Sequence, residues 1–352
     1  MYYYNTMSNL EDYIFGNRQH LKLPEQENFQ DKSILILGSS GTIGRKIVEL
    51  LIKCQPARII LFDHNESSQI KLYSQYKQNK NIEFIPIPGS ILDKNLLEIT
   101  IKKYTPDIII HSAANKIVPL CEQNPLIAVN VNVLATINLF DIAGKYNIPK
   151  FIFISSNEAY KPQNVFGYTK KIAELAMNYY SQKYHVTEYK AVRFGFVLFS
   201  QGSVAEIFEQ QLSQNKNLTV CDTEQEKYIC SQYDAACSVL DSLEIGSSGQ
   251  VITLDMDKPV KIYDIAKKFI NYYNSQSTIE IIGLRPGDKV REPKIGGELG
   301  ITPTKIKKLF ITNINNTTQD KYSNDICSLF NLDYYVDNKS IINKLINICK
   351  RM

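Results

Sequence analysis

Three glycines spaced three apart, Gly38, Gly41 and Gly44 in SILILGSSGTIGRKIVE from Ser33 to Glu49, have the spacing that most directly implies chemistry. Lacking side chains, they let a backbone turn sharply, approach a pyrophosphate and pack a helix against a strand. The apolar run Ile34 to Leu37 precedes them, and Ile43, Ile47, Leu50 and Leu51 follow at helical spacing, so the stretch reads as strand, tight turn, helix. A phosphate held there would meet the helix N-terminus. About twenty residues on, Arg58 to Phe62 form a second apolar strand ending in Asp63, where a carboxylate can accept hydrogen bonds from adenosine ribose hydroxyls. The turn, with Ser40, Thr42 and Ile43 between its glycines, and Asp63 therefore predict a nicotinamide dinucleotide site, and Asp63 favours NAD over NADP.

The elements that must position these residues alternate. Strands are predicted at Ser33–Leu37, Arg58–Phe62, Ile82–Ile87, Asp107–His111, Lys150–Ser155 and Thr187–Phe194. Between them helices are predicted to Lys53, near Ser67–Tyr76 and Leu96–Tyr104, from about Pro125 to Tyr146 and from Thr169 to Lys183. Such alternation calls for an α/β Rossmann-type doubly wound parallel sheet covered on both faces. Helices at Val204–Gln214, Asp234–Leu243 and Ile262–Tyr273 and a strand at Gln250–Asp255 follow in a less regular pattern that should supply the substrate pocket. The expected division is an N-terminal extension over 1–30 with a short helix at Asn9–Phe15, a nucleotide-binding domain over 31–195, a smaller, partly interleaved substrate-binding region over 196–312, and a C-terminal tail over 313–352 with two short helices. Elements near 234–255 are candidates to rejoin the first domain. Gly283 to Gly297, GLRPGDKVREPKIGG, reads as a loop system.

Composition excludes several classes. The formal charge of +4 comes from scattered lysines, so no nucleic-acid footprint is present. Seven cysteines, an odd number without a Cys-x-x-Cys pair, argue against a disulfide framework and a zinc site, and none of the four histidines has metal-ligand spacing. A reducing cytoplasm is the expected compartment. The first residues lack the basic start and apolar core of a signal peptide, and no run is read as the roughly 18 apolar residues of a membrane span.

Seven ordered stretches between Asp31 and Ile311 resemble the extended short-chain dehydrogenase/reductase superfamily, and within it bacterial UDP-N-acetylglucosamine 4,6-dehydratases of polysaccharide synthesis. They are GSSGTIG at Gly38–Gly44, HSAANKIVPLCEQNP at His111–Pro125, NVLATIN at Asn132–Asn138, FISSNEAYKPQNVFGYTK at Phe153–Lys170, RFGFVLFSQGSV at Arg193–Val204, LDMDKPVKIYDIA at Leu254–Ala266 and GLRPGDK at Gly283–Lys289. The resemblance implies an oligomeric enzyme in which bound NAD(P)+ takes hydride from sugar C4, water leaves across C5 and C6, and hydride returns to C6. Ala113 and Ala114 would lie against the cofactor and Lys170 on the nicotinamide ribose. Lys116, Arg193, Phe196, Ser203 and Arg285 would meet the nucleotide sugar, with Arg285 on the pyrophosphate.

The chain departs from that pattern where the chemistry lies. Ser156, Asn157 and Glu158 stand where the nearest branch has Thr-Asp-Lys, and an asparagine carries no proton at ordinary pH. The segment also resembles the Thr-Asp-Glu and Thr-Ser-Glu runs of other nucleotide-sugar dehydratases, which would make Glu158 the C5 base, leave Ser156 on the C4 oxygen and leave Asn157 to orient a water. A base near neutral pH requires burial to raise the Glu158 pKa against any nearby lysine. Phe166 replaces the superfamily tyrosine four residues before Lys170; Ser90, Phe196, Phe199 and Gln201 replace an aspartate, an asparagine, a glycine and an arginine. His111 reads as a packed histidine, and Lys116 as within reach of either phosphate or solvent. A 4,6-dehydratase, a C4 epimerase or ketosugar reductase, and a catalytically silent nucleotide-sugar-binding homologue are the three readings compatible with these residues.

Overall fold

In a computed structural model of the chain, residues 10–16, 18–293, 301–314, 317, 318, 320, 322–333 and 335–351 are described. Seven parallel strands form the centre: β1 (Ser33–Leu37), β2 (Arg58–Asp63), β3 (Glu83–Pro88), β4 (Ile108–His111), β5 (Lys150–Ile154), β6 (Glu188–Arg193) and β7 (Val251–Leu254). Two antiparallel strands, β8 (Ile301–Pro303) and β9 (Leu309–Thr312), finish one edge, giving the order β8-β9-β7-β6-β5-β4-β1-β2-β3. The order reverses between β1 and β4, and the crevice outside their carboxyl ends is where open sheets of this kind bind ligands. Consecutive residues of β1 and β4 are buried because helices cover both faces.

Helices α1 (Thr42–Lys53), α2 (Glu66–Tyr76), α3 (Lys94–Tyr104), α4 (Pro125–Lys145) and α5 (Val165–Lys183) make the crossovers. The last begins four residues before its predicted start, because the Asn164 side chain caps it by accepting the Gly167 N–H at 2.8 Å. Near the middle of α4 the turn widens into a π-helix at Asn130–Leu134. There the buried Asn132 accepts the Asn115 N–H at 2.8 Å and donates to the Asn115 carbonyl at 2.9 Å, fixing the loop after β4. By length and composition α4 is apolar enough to cross a membrane, which corrects the sequence reading of no such run; 67% of its most apolar window is buried in this fold.

One core lies on each face of the sheet, and a third, built on Leu198, Phe208, Leu218 and Phe269, lies beyond it. Helical residues 10–15 pack Leu10 and Ile14 into that third core; Asn9, the predicted start of this helix, lies outside the described residues. Arg18 then donates to the Ile229 and Met256 carbonyls at 2.8 and 2.7 Å, tying the segment down. In the tail, π and 3-10 turns at Tyr322–Asn331 precede the helix Asn338–Arg351, which buries Ile341, Leu345 and Ile348. The end of the predicted 283–297 loop, from 294 on, is outside the described residues.

Candidate active site

Gly38 follows β1 with φ +80°, a conformation that favours glycine, and a side chain there would come within 2.7 Å of the Ala113 backbone nitrogen. Gly44 lies in the first turn of α1, where a Cβ would strike the Gly38 carbonyl. Gly44 therefore permits close packing of helix on strand, while Gly38, Ser40, Gly41, Thr42 and Ile43 line a cleft of about 500 Å³. Asp63 reaches the same cleft from the end of β2 and is buried, its carboxylate accepting the Ser40 and Asn65 N–H groups at 2.9 Å each. The opposite wall is Ser112, Ala113 and Ala114 after β4. A glycine cradle at a helix N-terminus beside a buried, pre-oriented carboxylate suits a dinucleotide.

The chain brings Ser156, Asn157, Glu158 and Lys170 to that cleft as well. Ser156 follows β5 and caps a short 3-10 turn at Asn157–Ala159, its hydroxyl accepting the Glu158 N–H at 3.2 Å. Lys170 projects from α5 to the end of β5, donating to the Ile154 carbonyl at 2.8 Å with its ammonium 4.6 Å from the centre of the Phe153 ring. Burial, opposed by Glu174, lowers its pKa to about 7. The Asn157 amide nitrogen is buried without a hydrogen-bond partner among the described residues. Phe166 lines the cleft where a tyrosine would have offered a hydroxyl.

Glu158 differs electrostatically from the sequence expectation. Burial alone would raise its pKa, but Lys227, Lys289 and Asn164 outweigh burial and hold it below the usual glutamate range. Lys289 lies against Oε2, Lys227 is 3.6 Å from Oε1, and the Asn164 amide donates to Oε2 at 3.1 Å. The lysines arrive from the two-residue strand Glu226–Lys227 and the loop after residue 283, distant segments whose approach no local pattern in the sequence reveals.

Among the expected substrate residues, Lys116, Phe196, Ser203 and Arg285 line the cleft. Lys116 donates to the Ser200 hydroxyl at 3.2 Å, and Ser203 caps the helix Val204–Ser213. Arg285 pairs with Asp288 at 2.9 Å near the mouth. Arg193 is elsewhere: buried, it binds Glu174 through two contacts of 2.6 Å, so its expected substrate contact is corrected to a structural ion pair. His111, donating or accepting at Thr136 Oγ1 across 3.0 Å, is the packed histidine expected, its pKa lowered to about 3 by burial and then by Lys170. Lys227 and Glu292, which line the cleft, received no role from the sequence.

Sheet order, glycine turn and the lysine of α5 together define an extended short-chain dehydrogenase/reductase. More narrowly, the chain belongs to the family described as polysaccharide biosynthesis protein, whose profile matches residues 34–314. It is 34% identical over 310 residues to the capsular polysaccharide biosynthesis protein CapD of Staphylococcus aureus, covering 81% of this chain and 52% of that protein. The chain thus spans about half the length of that relative. Against a UDP-N-acetylglucosamine 4,6-dehydratase (inverting) of Campylobacter jejuni the identity is 29%, over 77% of this chain and 79% of the relative. A UDP-glucose 4-epimerase of Rickettsia bellii matches at 29% over the same shares. Among solved structures, Pen from Bacillus thuringiensis superposes with a TM-score of 0.73 at 30% identity, covering 80% of this chain and 89% of that one. Proteins named as a nucleotide-sugar dehydratase and as a nucleotide-sugar epimerase are thus both among the relatives of this chain.

Proposed function

We propose that this chain is an NAD-dependent UDP-N-acetylhexosamine 4,6-dehydratase of surface-polysaccharide synthesis. The observation that carries the reading is convergence: the dinucleotide cradle and the Ser156–Glu158 and Lys170 groups open into one cleft at the switch point of the sheet. The similarity to a UDP-N-acetylglucosamine dehydratase supports the substrate class. Bound in the cradle, the nicotinamide supplies reversible hydride acceptance from a sugar carbon. Asp63 holds the adenosine ribose, and the Gly38–Gly41 turn admits the pyrophosphate. Lys170, at the end of β5, holds the nicotinamide ribose. Ser156 orients the C4 oxygen. Glu158, kept ionised by its lysines, accepts the C5 proton, and the unpartnered Asn157 amide donates to a sugar oxygen or a bound water.

Incubation with UDP-N-acetylglucosamine in deuterated water, followed by NMR, tests this directly. A 4-keto-6-deoxy product carrying deuterium at C5 is expected, and Glu158→Gln should slow its formation by roughly two to four orders of magnitude while UDP-sugar binding persists. A second reading, C4 epimerisation, is favoured by Asn157, since that reaction needs no acid at C6; it would yield the C4 epimer without C5 label. Saturable binding with no chemistry would mark a silent homologue.

A further inference from the structure

Loss of water from C6 requires a proton on the departing oxygen, and Asn157, at the position where the resemblance places an acid, has none to give. The cleft that holds Ser156–Glu158 carries a second carboxyl group suited to that task, on Glu292. We propose that Glu292 is the acid that protonates the leaving C6 hydroxyl, paired with Glu158 as base across the shared ammonium of Lys227. This rests on the dehydratase reading above.

Glu292 and Glu158 both line the cleft, and Lys227 Nζ stands 3.0 Å from the Oε1 of Glu292 and 3.6 Å from the Oε1 of Glu158. Their surroundings are unequal. Glu158 faces two ammonium groups and the Asn164 amide; Glu292 shares Lys227 and takes one backbone N–H, from Tyr228 at 3.2 Å. Two carboxylates near one ammonium in a buried site compete, and the less supported one keeps the proton. Accordingly Glu292 is raised above the usual range, first by burial and further by Glu158 against the pull of Lys227, whereas Glu158 is lowered. Lys227 itself, its loss of hydration outweighed by Glu292 and Glu158, is raised and keeps its charge, which makes it a positioning residue.

The step balances. The C5–H bond breaks with its proton passing to Glu158, and its electron pair forms the C5–C6 double bond. The C6–O bond breaks with its pair on oxygen, which takes the Glu292 proton and departs as water. Hydride first removed from C4 is restored at C6, and Glu158, its captured proton exchanged with solvent, protonates C5. Glu292 regains a proton from solvent, to which the C4 hydroxyl proton was released.

The test separates the two halves by NMR in deuterated water, using the full chain with NAD and UDP-N-acetylglucosamine. Glu292→Gln should keep deuterium entry at C5 of recovered substrate within about tenfold of wild type while water loss falls at least about 100-fold. Glu158→Gln should lose both, and Glu292→Asp should recover part of the water loss. Water loss within about threefold of wild type in Glu292→Gln would overturn the assignment alone. Parallel loss of C5 exchange and water loss, with a lowered melting temperature, would also overturn it by showing a structural role. A wild-type chain that binds the nucleotide sugar yet neither labels C5 nor releases water would overturn the dehydratase reading and this one with it.

Discussion

Removing the Arg193 guanidinium should damage stability and spare the sugar site. Glu174 is fully buried, and Arg193 meets both its oxygens at 2.6 Å; the Ser155 hydroxyl adds a bond of 2.6 Å. In Arg193→Met the carboxylate would keep, among the described residues, only the Ser155 hydrogen bond, in surroundings that cannot hydrate it, and breaking a buried pair from one side costs about 3–5 kcal/mol. At roughly 2 °C per kcal/mol for a chain of this size, the melting midpoint should fall by about 6–10 °C. Adding Glu174→Leu should recover most of the loss, because a buried pair exchanged for apolar groups is often near neutral. Although burial alone would raise Glu174, Arg193 and its other partners hold it below the ordinary value of 4.5. The folded-state pKa is thus below the unfolded one, so the stabilisation is present above that ordinary value and lost as pH falls through the folded pKa. Thermal denaturation followed by circular dichroism, with calorimetric titration of UDP-N-acetylglucosamine, measures both effects. A midpoint within about 2 °C of wild type together with more than tenfold weaker sugar binding would refute the reasoning and return Arg193 to the substrate.

Gly38→Ala should weaken NAD binding by at least about tenfold in calorimetry, since it forces an unfavourable φ and presses on the Ala113 backbone. NAD should bind at least about tenfold more tightly than NADP, and Asp63→Ala should erase most of that difference by removing a buried negative charge beside the ribose. The Lys170 ammonium should titrate near pH 7 in an NMR experiment on ε-13C lysine; a value above about 9 would show that burial does not govern it. Because the folded-state value lies below the unfolded one, stability from this group should fall as pH drops from the unfolded range toward 7 and level off below it.

The sheet was legible because its strands alternate with helices whose apolar residues recur at the right period, and because the turn needs glycine where Gly38 takes φ +80°. Asp63 could be placed because it ends a strand, and that strand carries it to the cleft. What could not be read depends on long-range approach. Arg193 lies within a motif of the resemblance, yet its partner Glu174 comes from α5. Lys227 occupies a two-residue strand, too short for any pattern, and Glu292 lies in the loop after residue 283. Phe199, standing where the resemblance has glycine, keeps a left-handed backbone at φ 56° and buries its ring in the third core. The turn there survives the substitution, with packing opposing the backbone cost of about 1–2 kcal/mol.

Glu158 shows why charge in this cleft must be counted over the whole fold. A resemblance that expects Lys at 158 and Asp at 157 predicts one cation and one anion on the loop after β5; this chain puts one anion there and a neutral amide beside it. Lys227 and Lys289 bring the cations back from two other segments, and Glu292 brings a second carboxyl group. Burying Glu158 without those lysines would make the ionised form costly and the group a poor acceptor at neutral pH. With them it stays ionised, and the conjugate acid it forms is one that readily returns its proton to carbon. Lys289→Met should therefore raise the Glu158 pKa toward the range first expected of it, and the acid limb of the pH profile for C5 exchange should move to higher pH. An unmoved limb would show that Lys289 does not set the protonation of Glu158, and that Lys227 and Asn164 hold it without Lys289.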